Sequence, residues 1–148
     1  MINTLLNNAM AQKGCIVFPP AGEADLQQAG RLLNELGFAA LPPDFAAFLR
    51  LCDGLYYDGL EILGTLPHPR PSKQYTFACL ADVNRPFAEY GYFAGKLIIG
   101  RMSENFIVYD QSNGLFAMID RINLCSQIEF SGFNDLFASL LRLCEIEA

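Results

Sequence analysis

KLIIGRMSENFIVYDQSNGLFAMID, residues 96–120, holds the plainest strand signal in the chain. Its apolar, β-branched runs KLIIG (96–100) and NFIVYD (105–110) are joined by RMSE, the pattern of two strands around a short connection. Ser112-Asn113-Gly114 follows, and Asn-Gly tolerates the positive φ that a tight hairpin demands. LFAMID (115–120) and the stretch Ile122–Phe130 then read as two further strands of the same meander.

Downstream of the strands, Ser131 is placed to cap a last helix. Phe133, Leu136, Phe137, Leu140, Leu141 and Cys144 would form its broad apolar face. Upstream, the period is that of helices. Leu5, Leu6 and Met10 share one side of a short helix within 1–13. GCIVFPPAG (14–22) reads as an extended linker, and Glu23 to Leu36 as a helix with Leu26, Ala29, Leu33 and Leu36 inward and Gly37 as its stop. In LPPDFAAFLRLCDG (41–54) the prolines suit a first helical turn, Phe45, Phe48, Leu49 and Cys52 make one apolar face, and Asp53-Gly54 ends the helix. LEILG (60–64) has a strand pattern. TLPHPRPSK (65–73), with three prolines in nine residues, reads as an exposed loop, and Tyr75 to Arg85 as a helix closed by Pro86. Helices, then a meander, then a closing helix predict one α+β domain over residues 1–148, its helices packed on an antiparallel sheet of about 4–6 strands.

With 148 residues the chain could bury roughly two-thirds of its unfolded surface, and a 52% apolar content marks it as globular. Sixteen acidic against ten basic residues leave a net charge of −6, which disfavours nucleic acid and suits a basic partner. The N-terminus lacks the pattern of a signal peptide, and no apolar run approaches the ~20 residues that span a bilayer. A cytoplasmic chain with no membrane partner is expected. Five cysteines, odd in number and scattered through apolar surroundings, read as buried free thiols.

No motif carries chemistry on its face. His68, the single histidine, sits in PHPRP and reads as an exposed loop residue, so no metal site is expected. Gly91, Gly95 and Gly100 lack the strand-to-helix setting of a phosphate loop. Asp53, Asp58 and Glu61 cluster with no Lys or Arg between Leu51 and Pro69, which reads as an exposed acidic rim and not as a catalytic pair. Tyr56 and Tyr57 lie inside that rim, one of them expected in the core, and tyrosine is enriched where proteins bind one another. Tyr90 and Tyr92 could flank the same face, whereas residues 65–101 are net basic.

Four strings in order give the chain a family likeness: GEADLQQAGRLLNELGFA (22–39) leading into LPPDFAAFLRLCDGL, LEILG (60–64), the 96–120 hairpins, and FSGFNDLFASLL (130–141). Together they resemble the SUKH superfamily, which includes yeast cell-wall-assembly regulators and many bacterial toxin-immunity proteins. The resemblance implies a non-enzymatic, intracellular binding module without catalytic residue, metal or cofactor. Its partner would be a basic toxin domain, often a nuclease; the acidic cluster and its tyrosines, Asp53, Tyr56, Tyr57, Asp58 and Glu61 with Tyr90 and Tyr92 alongside, are the expected contact. A regulatory scaffold of the same fold with no toxin, or a small-molecule binder, are the competing readings.

Overall fold

The computed structural model describes residues 1–69 and 75–146. In chain order the elements are α1 (Ile2–Met10), β1 (Ile16–Val17), α2 (Glu23–Glu35), α3 (Pro43–Leu51), β2 (Leu55–Tyr57), β3 (Leu60–Ile62), β4 (His68–Pro69) and β5 (Thr76–Phe77). They continue with α4 (Leu80–Asn84), two 3-10 turns at Arg85–Phe87 and Gly91–Phe93, β6 (Lys96–Met102), β7 (Asn105–Asp110), β8 (Leu115–Asp120), β9 (Ser126–Phe130) and α5 (Phe133–Leu143). The architecture is α+β. Seven strands form one antiparallel sheet in the order β1-β2-β3-β6-β7-β8-β9, and β4 pairs with β5 apart from it.

The meander is the scaffold. Leu97 to Ile99 and Phe106 to Val108 are buried side by side, so both faces of the central strands lie under cover. At the β7–β8 turn, Asp110 accepts hydrogen bonds from the Ser112 N–H and hydroxyl, and Gly114 takes φ +72°. Side chains of directly opposed residues share a face, which fixes the two sides of the sheet. Tyr109 and Phe116 are opposed, and Phe116 meets Phe133 of α5 at 5.9 Å. That side carries the helices. Phe45 and Phe48 of α3 close on Phe133 and Phe137 of α5 at centroid distances of 4.9–5.2 Å, a buried aromatic seam that joins two helices to the sheet.

The opposite side holds the cross-strand row Tyr56, Glu61, Arg101, Phe106 and Ile119. Phe87 and Phe93 from the 3-10 turns cover Phe106 at 5.3 and 6.0 Å. Beyond β3, the flank of β6 at Ile98 has no strand beside it among the described residues. Asn84, only 1% exposed, fills in for a strand: its amide donates to the Ile98 carbonyl and accepts from the Ile98 N–H, both at 2.8 Å.

Several local expectations are corrected. Seven strands replace about 4–6, because Leu55–Tyr57, read as part of an acidic rim, pairs with β3, and Ile16–Val17, read as linker, pairs with Leu55 and Tyr56 at the sheet edge. Ile122–Phe130 is a strand only from Ser126: the Asp120 carboxylate accepts from the N–H groups of Ile122 and Asn123 and folds that segment into a turn. The expected helix from Tyr75 shortens to Leu80–Asn84, since Thr76–Phe77 pairs with His68–Pro69. Residues 70–73 of the expected loop lie outside the described residues. Gly132, not Ser131, is the N-cap of α5, and its orphan donor at Phe133 is met at 2.6 Å by the Asp44 carboxylate from α3. Met10 is exposed and Ala9 takes its place in the core. Of the cysteines, Cys52, Cys79 and Cys144 are buried and Cys15 half-buried, but Cys125 is exposed. Among the described residues no helix is long and apolar enough to cross a membrane.

Candidate functional site

The stretch Asp53–Glu61 folds as a bend followed by a tight hairpin. Asp58 and Gly59 take φ +49° and +86°, the two consecutive positive values of the turn that Asp-Gly favours between strands. Alternation along β2 then separates the tyrosines. Tyr57 turns to the helical side and packs against the core, while Tyr56 faces the opposite side opposed to Glu61. Asp58 stands exposed at the tip.

Asp53 and Glu61 do not form an exposed acidic rim. Asp53 is 2% exposed and Glu61 8%. Gly64 passes so close to the Asp53 backbone that an added Cβ would lie 2.1 Å from its carbonyl oxygen. That approach delivers residues 65–68 to the Asp53 carboxylate. It accepts from the Thr65 N–H (2.7 Å), the Thr65 hydroxyl (2.8 Å) and the Leu66 N–H (3.2 Å), and pairs with His68 Nε2 at 2.8 Å. His68 is therefore no free loop residue: its ring lies flat on Phe18, 4.2 Å away and 6° from parallel. A histidine oriented by a carboxylate is half of a base-and-nucleophile arrangement, yet among the described residues no hydroxyl or thiol bonds to His68. Nor do the described residues bring three or more His, Cys, Asp or Glu together as a metal would require.

Glu61 is held by Arg101, its cross-strand neighbour. Arg101 Nη2 donates to Oε2 at 2.7 Å and to Oε1 at 3.3 Å, and Nε to Oε2 at 3.2 Å. This pair floors a cleft of about 240 Å³ on the sheet side away from α5. Tyr56, Gly59, Tyr75, Ser103 and Arg121 also line it. Arg121 sits over Phe106, 4.9 Å from the ring centre, with Nη1 3.5 Å from the Ser103 carbonyl. Among the described residues Arg121 has no carboxylate partner. Among the described residues that line it, two arginines against one glutamate leave the cleft positive in a chain of net charge −6.

Aromatic rings extend from both ends. Tyr75 and Tyr56 each meet Phe77, at 5.0 and 5.2 Å. On the other side Phe87 links Phe106 to Tyr90, which is 59% exposed. Tyr92 belongs to the framework instead: its hydroxyl donates to the Leu124 carbonyl at 2.9 Å, and burial raises its pKa, with Asp110 adding to the effect. A larger depression of about 460 Å³ runs along α2, but its single charge, Arg31, is already bonded to Gln28.

Of the expected contact residues, then, only Tyr56 and Glu61 meet in one place. Arg101, Arg121, Tyr75 and Ser103 join them unannounced. The alternation of KLIIGRM puts Arg101 on a definite face, but its pairing with a glutamate 40 positions away depends on strand order. No protein-family model matches the sequence, and no curated protein matches it at a significant level.

Proposed function

We propose that the chain is a non-enzymatic protein-binding module of the SUKH type, serving as an immunity protein that binds and neutralises a toxin domain. The observation that carries this reading is the cleft between Tyr56, Tyr75, Arg101 and Arg121, set on a sheet face flanked by further aromatic rings. Tyrosine and arginine are the residues that concentrate binding energy in protein interfaces. The cleft volume of about 240 Å³ falls below the roughly 300–1,000 Å³ of sites that enclose small ligands, which favours a surface contact.

The contact surface differs from the acidic rim read from the sequence. Asp53 and Glu61 hold Thr65, His68 and Arg101, and cannot meet a partner without giving these up. Net charge acts at longer range: a field of −6 would speed the approach of a basic toxin, while the local cleft fixes its register.

Co-expression with basic toxin domains encoded beside the gene tests the proposal. Protection of the host and a complex that co-purifies are expected, with both lost in a Tyr56→Ala/Arg121→Ala double variant. Failure to protect against any neighbouring toxin would remove the immunity role. Capture of a partner that is no toxin would favour a regulatory scaffold.

A further inference from the structure

Arg121 places its guanidinium at a wall of the cleft, with most of its donors unused among the described residues. Its guanidinium rests over Phe106, and the 3.5 Å approach of Nη1 to the Ser103 carbonyl is its one polar side-chain contact among the described residues. Seating over a ring face leaves the N–H donors of a guanidinium available to a further acceptor. Arg101, next to it in the cleft, spends Nε and Nη2 on Glu61 and keeps Nη1 unbonded among the described residues. Glu104, on the adjoining turn, forms no ion pair with either arginine. Among the described residues the side chains thus present one unmatched fork and one spare Nη1 amino group in a cleft that two tyrosines also line.

We infer that this cleft is a carboxylate receptor, which takes an Asp or Glu side chain of the bound protein into the fork of Arg121. Arg101 Nη1 donates to the same group, and Tyr56 and Tyr75 support the flanking peptide. Planar bidentate pairing is what a guanidinium offers a carboxylate. Glu61 in the cleft floor argues for a single negative charge over a dianionic phosphate, and the net charge of −6 opposes a nucleic-acid backbone. The inference rests on the binding-module reading, and it names the chemistry of the contact.

A titration of the ¹⁵N-labelled full chain decides it. The probe is a blocked Ala-Asp-Glu-Ala peptide; the comparison arms are Ala-Asn-Gln-Ala, the same peptide bearing phosphoserine, and sodium acetate. Saturable shifts of the Arg121 and Arg101 Nε–H signals and of the Tyr56 amide are expected at about millimolar peptide, as suits one charged contact. Arg121→Gln should weaken binding about tenfold and Arg121→Lys by less, since lysine keeps the charge without the fork. Equal shifts from the Asn-Gln peptide, or none from the acidic one, would overturn the receptor. Acetate matching the peptide would reduce it to a free-anion site, and a stronger response to phosphoserine would replace carboxylate by phosphate. The two readings fail separately. A toxin that binds Arg121→Gln unimpaired sinks the receptor and leaves the module. A cleft that takes the acidic peptide in a chain protecting against no toxin sinks the immunity role alone.

Discussion

A carboxylate that is 2% exposed is stabilised only by the donors turned towards it, and Asp53 has four: two N–H groups, a hydroxyl and His68. Asp53→Ala would leave the Thr65 and Leu66 N–H groups without their acceptor, and should cost about 3 kcal/mol. Urea unfolding measures this, and a loss under about 1 kcal/mol would mean that water takes over the donors. Glu61 and Arg101 stand or fall together. Glu61→Leu should cost about 1 kcal/mol, because the guanidinium it leaves lines an open cleft and regains water, and adding Arg101→Met should recover most of it. Additive losses in that double-mutant cycle would show that the pair is uncoupled. The acidic character of 53–61 was legible in the sequence, but its burial was not. A carboxylate reads as solvated until its partner is known, and His68 and Arg101 lie 15 and 40 positions away.

Elements carried by period and turn chemistry were legible in the sequence. α2, α3, α5 and the β6–β8 strands form where their apolar spacing places them, and the Asn-Gly turn closes β7 on β8. Misreadings fall where side chains compete with the backbone ladder. Asp120 and Asn123 bond their own neighbours and delay β9, and two-residue strands such as β1 have too little period to show. The cap of α5 is the sharpest case, because serine before a helix is a sound signal and Asp44 still supplies the bond. Asp44→Ala should therefore destabilise by about 1 kcal/mol while Ser131→Ala stays within about 0.5 kcal/mol, read as shifts in thermal midpoint. The reverse order would restore Ser131 as the cap.

At the scale of the whole molecule, burial sets the behaviour of the thiols. It pushes Cys15 up to about 11 and Cys52 up to about 12, and raises Cys79 and Cys144 as well. Unfolding at alkaline pH releases these protons, so stability is intact below the ordinary thiol range near pH 9 and falls as pH rises towards 12. Urea midpoints between pH 8 and 11 should decline, and less steeply in Cys52→Ala; an equal slope would show that this thiol does not contribute. Exposure sets Cys125 apart, and a thiol reagent added to the native chain at pH 8 should modify it well before the other four. The sequence by itself determined the α+β class, the main helices and the meander, because periodicity and turn preferences act over neighbouring residues. It also determined the net charge of −6. Only the tertiary structure decided which charges meet water. Strand order set Glu61 against Arg101 and put Tyr56 on the same sheet face. The close pass at Gly64 brought His68 to Asp53, and Phe106 gave Arg121 its seat at the cleft. Each of these contacts depends on register between distant segments, which local spacing cannot encode.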